Sequence, residues 1–130
     1  NAIMALNLMK VGYVFGISEY PTMAEEMLKQ VSHKFESSLS WFCQWGVVAQ
    51  YVQKGFNQIV VTGKNSEKVA QKLNDIYVPN SIILIGDKNS QLEAVSKKVK
   101  DGKTLIYLCK DFTCSAPYED EDVFLKWIKK

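Results

Sequence analysis

The sequence predicts an α/β protein in which N-terminal helices are followed by a small three-stranded parallel βαβαβα layer. Up to residue 54 apolar residues recur at helical spacing, whereas from residue 56 short aliphatic runs alternate with lysine-rich amphipathic segments. The aliphatic runs at 59–62, 82–85 and 104–108 begin about 22 residues apart, which leaves room for a crossover helix each time. We therefore divide the chain into a helical segment, 1–54, and an α/β lobe, 55–130.

Three helices are expected in the helical segment. The first, NAIMALNLMKVGYVF, is apolar on almost every side, and such a helix is normally buried on several faces. Thr22 and Glu25 have the T-x-x-E spacing of a capping box, which predicts the start of the second helix. The third helix is expected to begin near Ser38 or Ser40 and to end at Gly55.

The first two predicted strands are followed by similar loops, TGKNS and GDKNS, each leading into an amphipathic helix. The serines of these loops suit helix N-caps. Loops from a strand to a helix also bind phosphate, although the P-loop spacing G-x-x-x-x-G-K-[ST] is absent here. Helix capping is therefore the first interpretation, and phosphate binding is the alternative, through Lys64, Ser66, Lys88 and Ser90.

A last helix is predicted at 119–129. It opens with four acidic residues and ends in lysines, which complements the helix dipole at both ends. The acidic run lacks the spacing of a calcium loop, so we interpret it as a helix start.

Charge and hydropathy exclude several classes of partner. The 16 basic residues are all lysines, set against 14 acidic ones, for a net charge of +2. The bidentate arginine contacts that dominate base and phosphate recognition are therefore absent. No apolar run reaches the ~20 residues that cross a bilayer, and the N-terminus lacks the pattern of a signal peptide. We predict a cytoplasmic protein without nucleic-acid or membrane partners.

Catalytic and metal motifs are also missing. His33 is the single histidine, so H-E-x-x-H zinc chemistry is excluded, and no G-x-S-x-G nucleophile motif occurs. We therefore predict no catalytic residue, no metal and no cofactor.

The cysteines are the remaining chemical candidates. Cys109 and Cys114 are separated by four residues, not by the two of a thioredoxin-type C-x-x-C. They are interpreted first as reduced structural thiols. A reversible disulfide and a metal site that recruits Cys43 and His33 stay open as alternatives. Cys43, which follows Trp41 and Phe42, is expected to be a small buried apolar residue.

The stretch YLCKDFTCSAP follows DGK and a strand and precedes an acidic helix start. It resembles the C-terminal Y-V-C-x-N-x-x-C-x-x-P signature of thioredoxin-domain-containing proteins of the spermatogenesis-associated type. Cys109, Cys114 and Pro117 match that signature, whereas Asp111 replaces its asparagine. The stretches NAIMALNLMKVG, IVVTG and YVPNSIILI also follow the order of elements at that family's C-terminus, so the resemblance spans essentially the whole chain.

In that family a thioredoxin-like domain precedes a large (α/α) toroid similar to sugar epimerases and six-hairpin glycosidases, and a small α/β segment ends the chain. The resemblance implies that residues 1–54 are the last helices of the toroid. It also implies a C-terminal fragment, in agreement with a chain that begins without methionine inside a predicted helix. The family's redox motif and sugar pocket would lie outside this sequence.

The leading functional prediction is a non-catalytic structural segment of a multidomain protein. Its partners would be the remaining domains of the parent chain, with self-association through an exposed helical face. One alternative is a redox accessory module that uses Cys109 and Cys114, and another is a phosphate- or nucleotide-binding module. Catalysis by the fragment alone is not predicted, whereas the parent protein is expected to be redox- or sugar-active.

Overall fold

The computed structural model describes residues 1–35, 39–100 and 102–128. The chain forms two compact units, Asn1–Phe56 and Asn57–Lys130. The first unit is helical and the second is α/β. None of the helices in the described ranges combines the length and the apolar content that a bilayer crossing requires.

The helical unit has a core of its own, to which its three described helices contribute. Gly16, with a φ of 74°, ends the first helix in the left-handed conformation that glycine adopts readily. Its core consists of Ala2, Ala5, Leu6, Met9, Ala24, Trp45 and Val48. The helices are α1, Ala2–Phe15; α2, Glu19–Ser32; and α3, Cys43–Lys54, with a 3₁₀ turn at Leu39–Phe42.

Two predicted helix starts in this unit are wrong. Helix α2 begins at Glu19, so Thr22 lies inside its first turn and donates its hydroxyl to the Ser18 carbonyl at 3.2 Å. The N-cap is therefore Ser18, which makes no side-chain capping bond, and the predicted capping box of Thr22 and Glu25 is wrong. Helix α3 begins at Cys43, because Ser40 lies in the 3₁₀ turn; Ser38 is outside the described residues.

The α/β unit contains a mixed sheet with the strand order β2-β1-β3-β4. Strand β1 is parallel to β2, whereas β3 is antiparallel to β1 and β4 is antiparallel to β3. The elements are β1, Asn57–Thr62; α4, Ser66–Asn74; β2, Ser81–Gly86; α5, Glu93–Ser96; β3, Leu105–Lys110; β4, Thr113–Cys114; and α6, Glu121–Ile128.

The predicted three-stranded parallel layer is therefore wrong, because the described sheet has four strands and one parallel pair. A parallel β3 would need a connection that returns along the full length of the sheet. Helix α5 has four residues, and the connection stays at the carboxyl end of β1. There Thr62 donates its hydroxyl to the Lys98 carbonyl at 3.4 Å, and the Asn65 amide donates to Thr104 Oγ1 at 3.3 Å. The chain enters β3 from this end and runs in the opposite direction.

One face of the sheet packs against α4 and α6. The buried residues of this cluster come from the two central strands and from both helices. They are Ile59, Val61, Val69, Leu73, Ile106 and Phe124.

Candidate functional site

The two cysteines of the signature stretch lie opposite each other in the hairpin of β3 and β4. Their register leaves Asp111 and Phe112 as a two-residue turn. Both turn residues have positive φ, 46° and 67°, which is characteristic of a type I′ turn. The hairpin brings the Cα atoms of Cys109 and Cys114 to 3.8 Å, and their sulfurs form a disulfide. Of the three interpretations of this pair, the structure has the disulfide. The reduced thiols that the sequence suggested first are not what it contains.

The two half-cystines differ in exposure. Cys109 is 2% exposed and lies in β3, between β1 and β4. The residue of β1 in register with Cys109 is Gln58, which is itself buried. Cys114 is exposed on β4, at the edge of the described sheet. A thiol arriving from solvent therefore meets Cys114 before Cys109.

The segment beyond the disulfide is fixed to β3 by backbone hydrogen bonds. The Ser115 amide donates to the Leu108 carbonyl at 2.8 Å, and Ser115 Oγ accepts a bond from the Leu108 amide at 3.3 Å. Ile106 and Tyr118 exchange two backbone bonds, of 3.0 and 2.8 Å. These bonds do not involve sulfur, so reduction of the disulfide would not itself remove any of them.

The third cysteine and the histidine belong to the helical unit. Cys43 is an exposed thiol outside the disulfide, and it donates to the Ser40 carbonyl at 3.1 Å. The prediction that Cys43 is buried is wrong, because it occupies the first turn of α3 on a solvent-facing side. His33 is exposed at the end of α2. Within the described ranges no three His, Cys, Asp or Glu side chains come together as metal ligands.

A second candidate site is a cavity of about 830 Å³ at the carboxyl ends of β1 and β2. It is lined by the loop after β1, the loop after β2 and the connection that leads into β3. The four residues that the sequence singled out for phosphate binding all line it, and two further lysines join them. The set is Lys64, Ser66, Lys88, Ser90, Lys100 and Lys103.

The serines of this cavity are not the N-caps that the sequence predicted. Ser66 is the first residue of α4, and Asn65 occupies the N-cap without a side-chain capping bond. Ser90 Oγ accepts a bond from the Leu92 amide at 3.3 Å, but the N-cap of α5 is Leu92, and Ser90 lies two residues before it. Both serines therefore lie in the cavity lining, not in a capping role.

Two carboxylates, Glu67 and Asp87, also line the cavity. Asp87 Oδ1 accepts a bond from the Asn89 amide at 2.9 Å. Lys103 Nζ donates to Glu119 Oε1 at 2.7 Å, and this hydrogen bond, with the charge of Lys103, lowers the pKa of Glu119 from its ordinary value. Among the residues that the structure describes, the lining therefore includes four lysines and two acids, which favours an anionic ligand.

Comparison of the chain with protein-family models, with curated proteins and with solved structures gave no match. The resemblance to the thioredoxin-domain-containing family, and the toroid that it implies, stay predictions. The disulfide hairpin and the lysine-lined cavity are the features of the α/β unit from which a function can be inferred.

Proposed function

We propose that Cys109 and Cys114 form a thiol–disulfide exchange pair. The observation that carries the proposal is a disulfide that joins a buried cysteine of β3 to an exposed cysteine of β4, at the edge of the described sheet. Exchange requires a thiolate to reach one sulfur of the bond, and accessibility is one of the factors that set its rate. The exposed Cys114 supplies that access, while the buried Cys109 is shielded.

The exchange step follows from this asymmetry. A thiolate of an incoming dithiol attacks Cys114 Sγ, the Cys109–Cys114 bond breaks, and Cys109 leaves as a thiolate that takes up a proton. The second thiolate of the partner then attacks the partner's own sulfur in the mixed disulfide and releases Cys114 as a thiolate. Two electrons pass to the pair, and the partner dithiol becomes a disulfide. In the reverse direction an oxidised partner restores the bond.

The backbone around the pair supports a reversible reaction. The hydrogen bonds of Ser115 and Tyr118 to β3 keep the two cysteines opposite each other after reduction. A pair of thiols held in this way has a high effective concentration for re-forming the bond. The cytoplasmic location that we propose from the sequence keeps thiols reduced, so a disulfide there is expected to be transient. The partner that the resemblance implies is the thioredoxin-like domain of the parent protein.

Two single-cysteine variants test the direction of attack, both in a Cys43→Ser background so that the third thiol is silent. Cys109→Ser leaves the exposed thiol and Cys114→Ser leaves the buried one. With glutathione disulfide, the variant that keeps Cys114 should form its mixed disulfide about tenfold faster or more, because thiol access controls the reaction. Mass spectrometry of acid-quenched samples measures the rates.

Equal rates for the two variants would contradict the proposal, provided that circular dichroism shows both to be folded. A pair that is reduced only under denaturing conditions would contradict it as well.

We also propose a structural role for the helical unit, the leading prediction from the sequence. Helix α1 exposes Met4, Val11 and Phe15 by 57%, 40% and 63%. At positions i, i+7 and i+11 these side chains lie along one face of the helix. An exposed apolar stripe of this length marks an interaction surface. We assign it to further helices of the parent protein, in agreement with the expected toroid.

The stripe predicts that the chain binds a hydrophobic dye and self-associates. Replacing Met4 and Phe15 by Glu should remove most of the dye fluorescence and shift the chain toward the monomer in sedimentation. Gln30→Glu, on an exposed position of α2, is the control and should change neither. A monomer without dye binding before substitution would exclude this role for the surface.

A further inference from the structure

The lysine-lined cavity is a separate candidate site from the disulfide. We propose that it binds a small, non-nucleotide molecule with two phosphate groups, of the class of sugar or polyol bisphosphates. The proposal depends on the position of the cavity, on the packing of its loops, on the repetition of its polar groups and on the composition of its lining.

The cavity lies where open α/β sheets commonly bind ligands. Strands β1 and β2 are the parallel pair, and the cavity is at their carboxyl ends. Helix α4, nine residues long, begins there with Ser66 and Glu67 in the lining. Its amino end adds a partial positive charge to that of the surrounding lysines.

Close packing fixes the loops that carry the lysines. A Cβ at Gly63, which has a φ of 102°, would lie 2.1 Å from the Lys103 carbonyl oxygen. A Cβ at Gly86 would lie 2.9 Å from Val95 Cγ1. The loop after β1 therefore touches the connection into β3, and the end of β2 touches α5. These contacts restrict the distances between the backbone segments that carry the lysines.

The polar groups of the cavity are repeated. The loop after β1 supplies Lys64 and Ser66, and the loop after β2 supplies Lys88 and Ser90, each a lysine and a hydroxyl two residues apart. A lysine binds phosphate as a point charge and a serine hydroxyl donates to its oxygens. Because the pair occurs twice, the cavity offers one lysine–hydroxyl pair to each of two phosphate groups. Lys100 adds a further positive charge from the third segment.

The rest of the lining favours a sugar or polyol over a nucleoside. Its described residues include no aromatic side chain on which a base would stack. Instead it presents the carboxylates of Asp87 and Glu67, which can accept hydrogen bonds from hydroxyl groups, and the amide of Asn89, which can donate and accept them. A volume of about 830 Å³ is within the usual range for small-molecule sites, ~300–1,000 Å³.

Calorimetry with three probes at matched ionic strength tests the class of ligand. Fructose 1,6-bisphosphate should bind about tenfold more tightly than fructose 6-phosphate, since the second phosphate engages the second loop, and ATP should bind more weakly than the bisphosphate. Lys64→Gln and Lys88→Gln should each weaken the bisphosphate about tenfold. In the double variant the preference for the bisphosphate over the monophosphate should disappear.

Lys68→Gln is the matched control, because Lys68 is an exposed lysine of α4 that does not line the cavity. It should leave the affinity for the bisphosphate unchanged. The proposal is overturned by absence of bisphosphate binding, by equal affinity for the monophosphate, by tighter binding of ATP, or by an equal loss in Lys68→Gln. Circular dichroism of each variant confirms that a change in affinity does not come from unfolding.

Discussion

Residues with positive φ mark the tight turns of the α/β unit. Gly63 ends β1 with a φ of 102°, and Asp111 and Phe112 turn the chain between β3 and β4. Glycine occupies this region without steric cost, whereas a residue with a side chain does so at a cost of ~1–2 kcal/mol. Strands β3 and β4 flank this turn, and the disulfide that joins them helps to hold Phe112 in its conformation.

The backbone cost at Phe112 can be separated from its side-chain contacts. Phe112→Ala removes the ring but keeps a Cβ at positive φ, whereas Phe112→Gly removes both. We expect the Gly variant to be more stable than the Ala variant by about 1 kcal/mol, because only glycine relieves the backbone. Denaturant unfolding of the oxidised proteins measures the difference. Equal stability of the two variants would show that the turn carries no such cost.

The elements of the α/β unit are joined by ion pairs at the surface. Lys103, in the connection into β3, pairs with Glu119, just before α6. The pair lowers the pKa of Glu119 from its ordinary value of 4.5, chiefly through the hydrogen bond and the charge of Lys103. A folded-state pKa below that of the unfolded chain gives a contribution to stability that is fully present above pH 4.5 and is lost as the pH falls through the lowered pKa.

Lys103→Gln should therefore raise the pKa of Glu119 toward its ordinary value, as measured by an NMR titration of the side-chain carboxyl. The free energy of unfolding of the variant should also depend less on pH in the acidic range. At low pH the variant and the unsubstituted protein should therefore be equally stable. Lys110→Gln removes the same charge from an exposed position at the other end of β3 and serves as the control. An unchanged Glu119 titration in Lys103→Gln would show that the pair does not form in solution.

The position of most elements could be predicted from the sequence, but not their direction. The aliphatic runs indicated three strands because central strands are buried on both faces and need apolar side chains throughout. The direction of β3 depends on the hydrogen bonds of Thr62 and Asn65 to the connection between β2 and β3. The spacing of apolar residues in the sequence does not indicate such contacts. Strand β4 has two residues and follows a turn, Asp111-Phe112, without the Asn-Gly or Asp-Gly that signals a hairpin.

The candidate sites, like the fold, could be predicted only in part from the sequence. The repeated loops indicated Lys64, Ser66, Lys88 and Ser90, and the parallel pair brings their loops to one cavity. Lys100 and Lys103 lie outside the repeated loops, and their approach to the cavity depends on the short connection into β3, which the repeat does not indicate. The spacing of Cys109 and Cys114 allowed a disulfide without requiring one, since their pairing is set by the register of β3 and β4.

At the scale of the whole molecule, the candidate sites are separate. Cys109 pairs with Gln58 near the amino end of β1, whereas the cavity lies at the carboxyl end of that strand. The apolar stripe belongs to the helical unit. Redox chemistry, ligand binding and docking can therefore be tested one at a time, and the failure of one proposal leaves the other two standing.

The central claim is that the Cys109–Cys114 disulfide exchanges in the folded protein. The direct measurement is the number of alkylated thiols, by mass spectrometry of the Cys43→Ser chain equilibrated in glutathione buffers of graded potential, without denaturant. We predict a single reversible two-electron transition in which both thiols appear together, while the circular dichroism spectrum keeps its folded form. Thiols that stay protected at every potential until the chain unfolds, or that never re-form the bond, would contradict the claim.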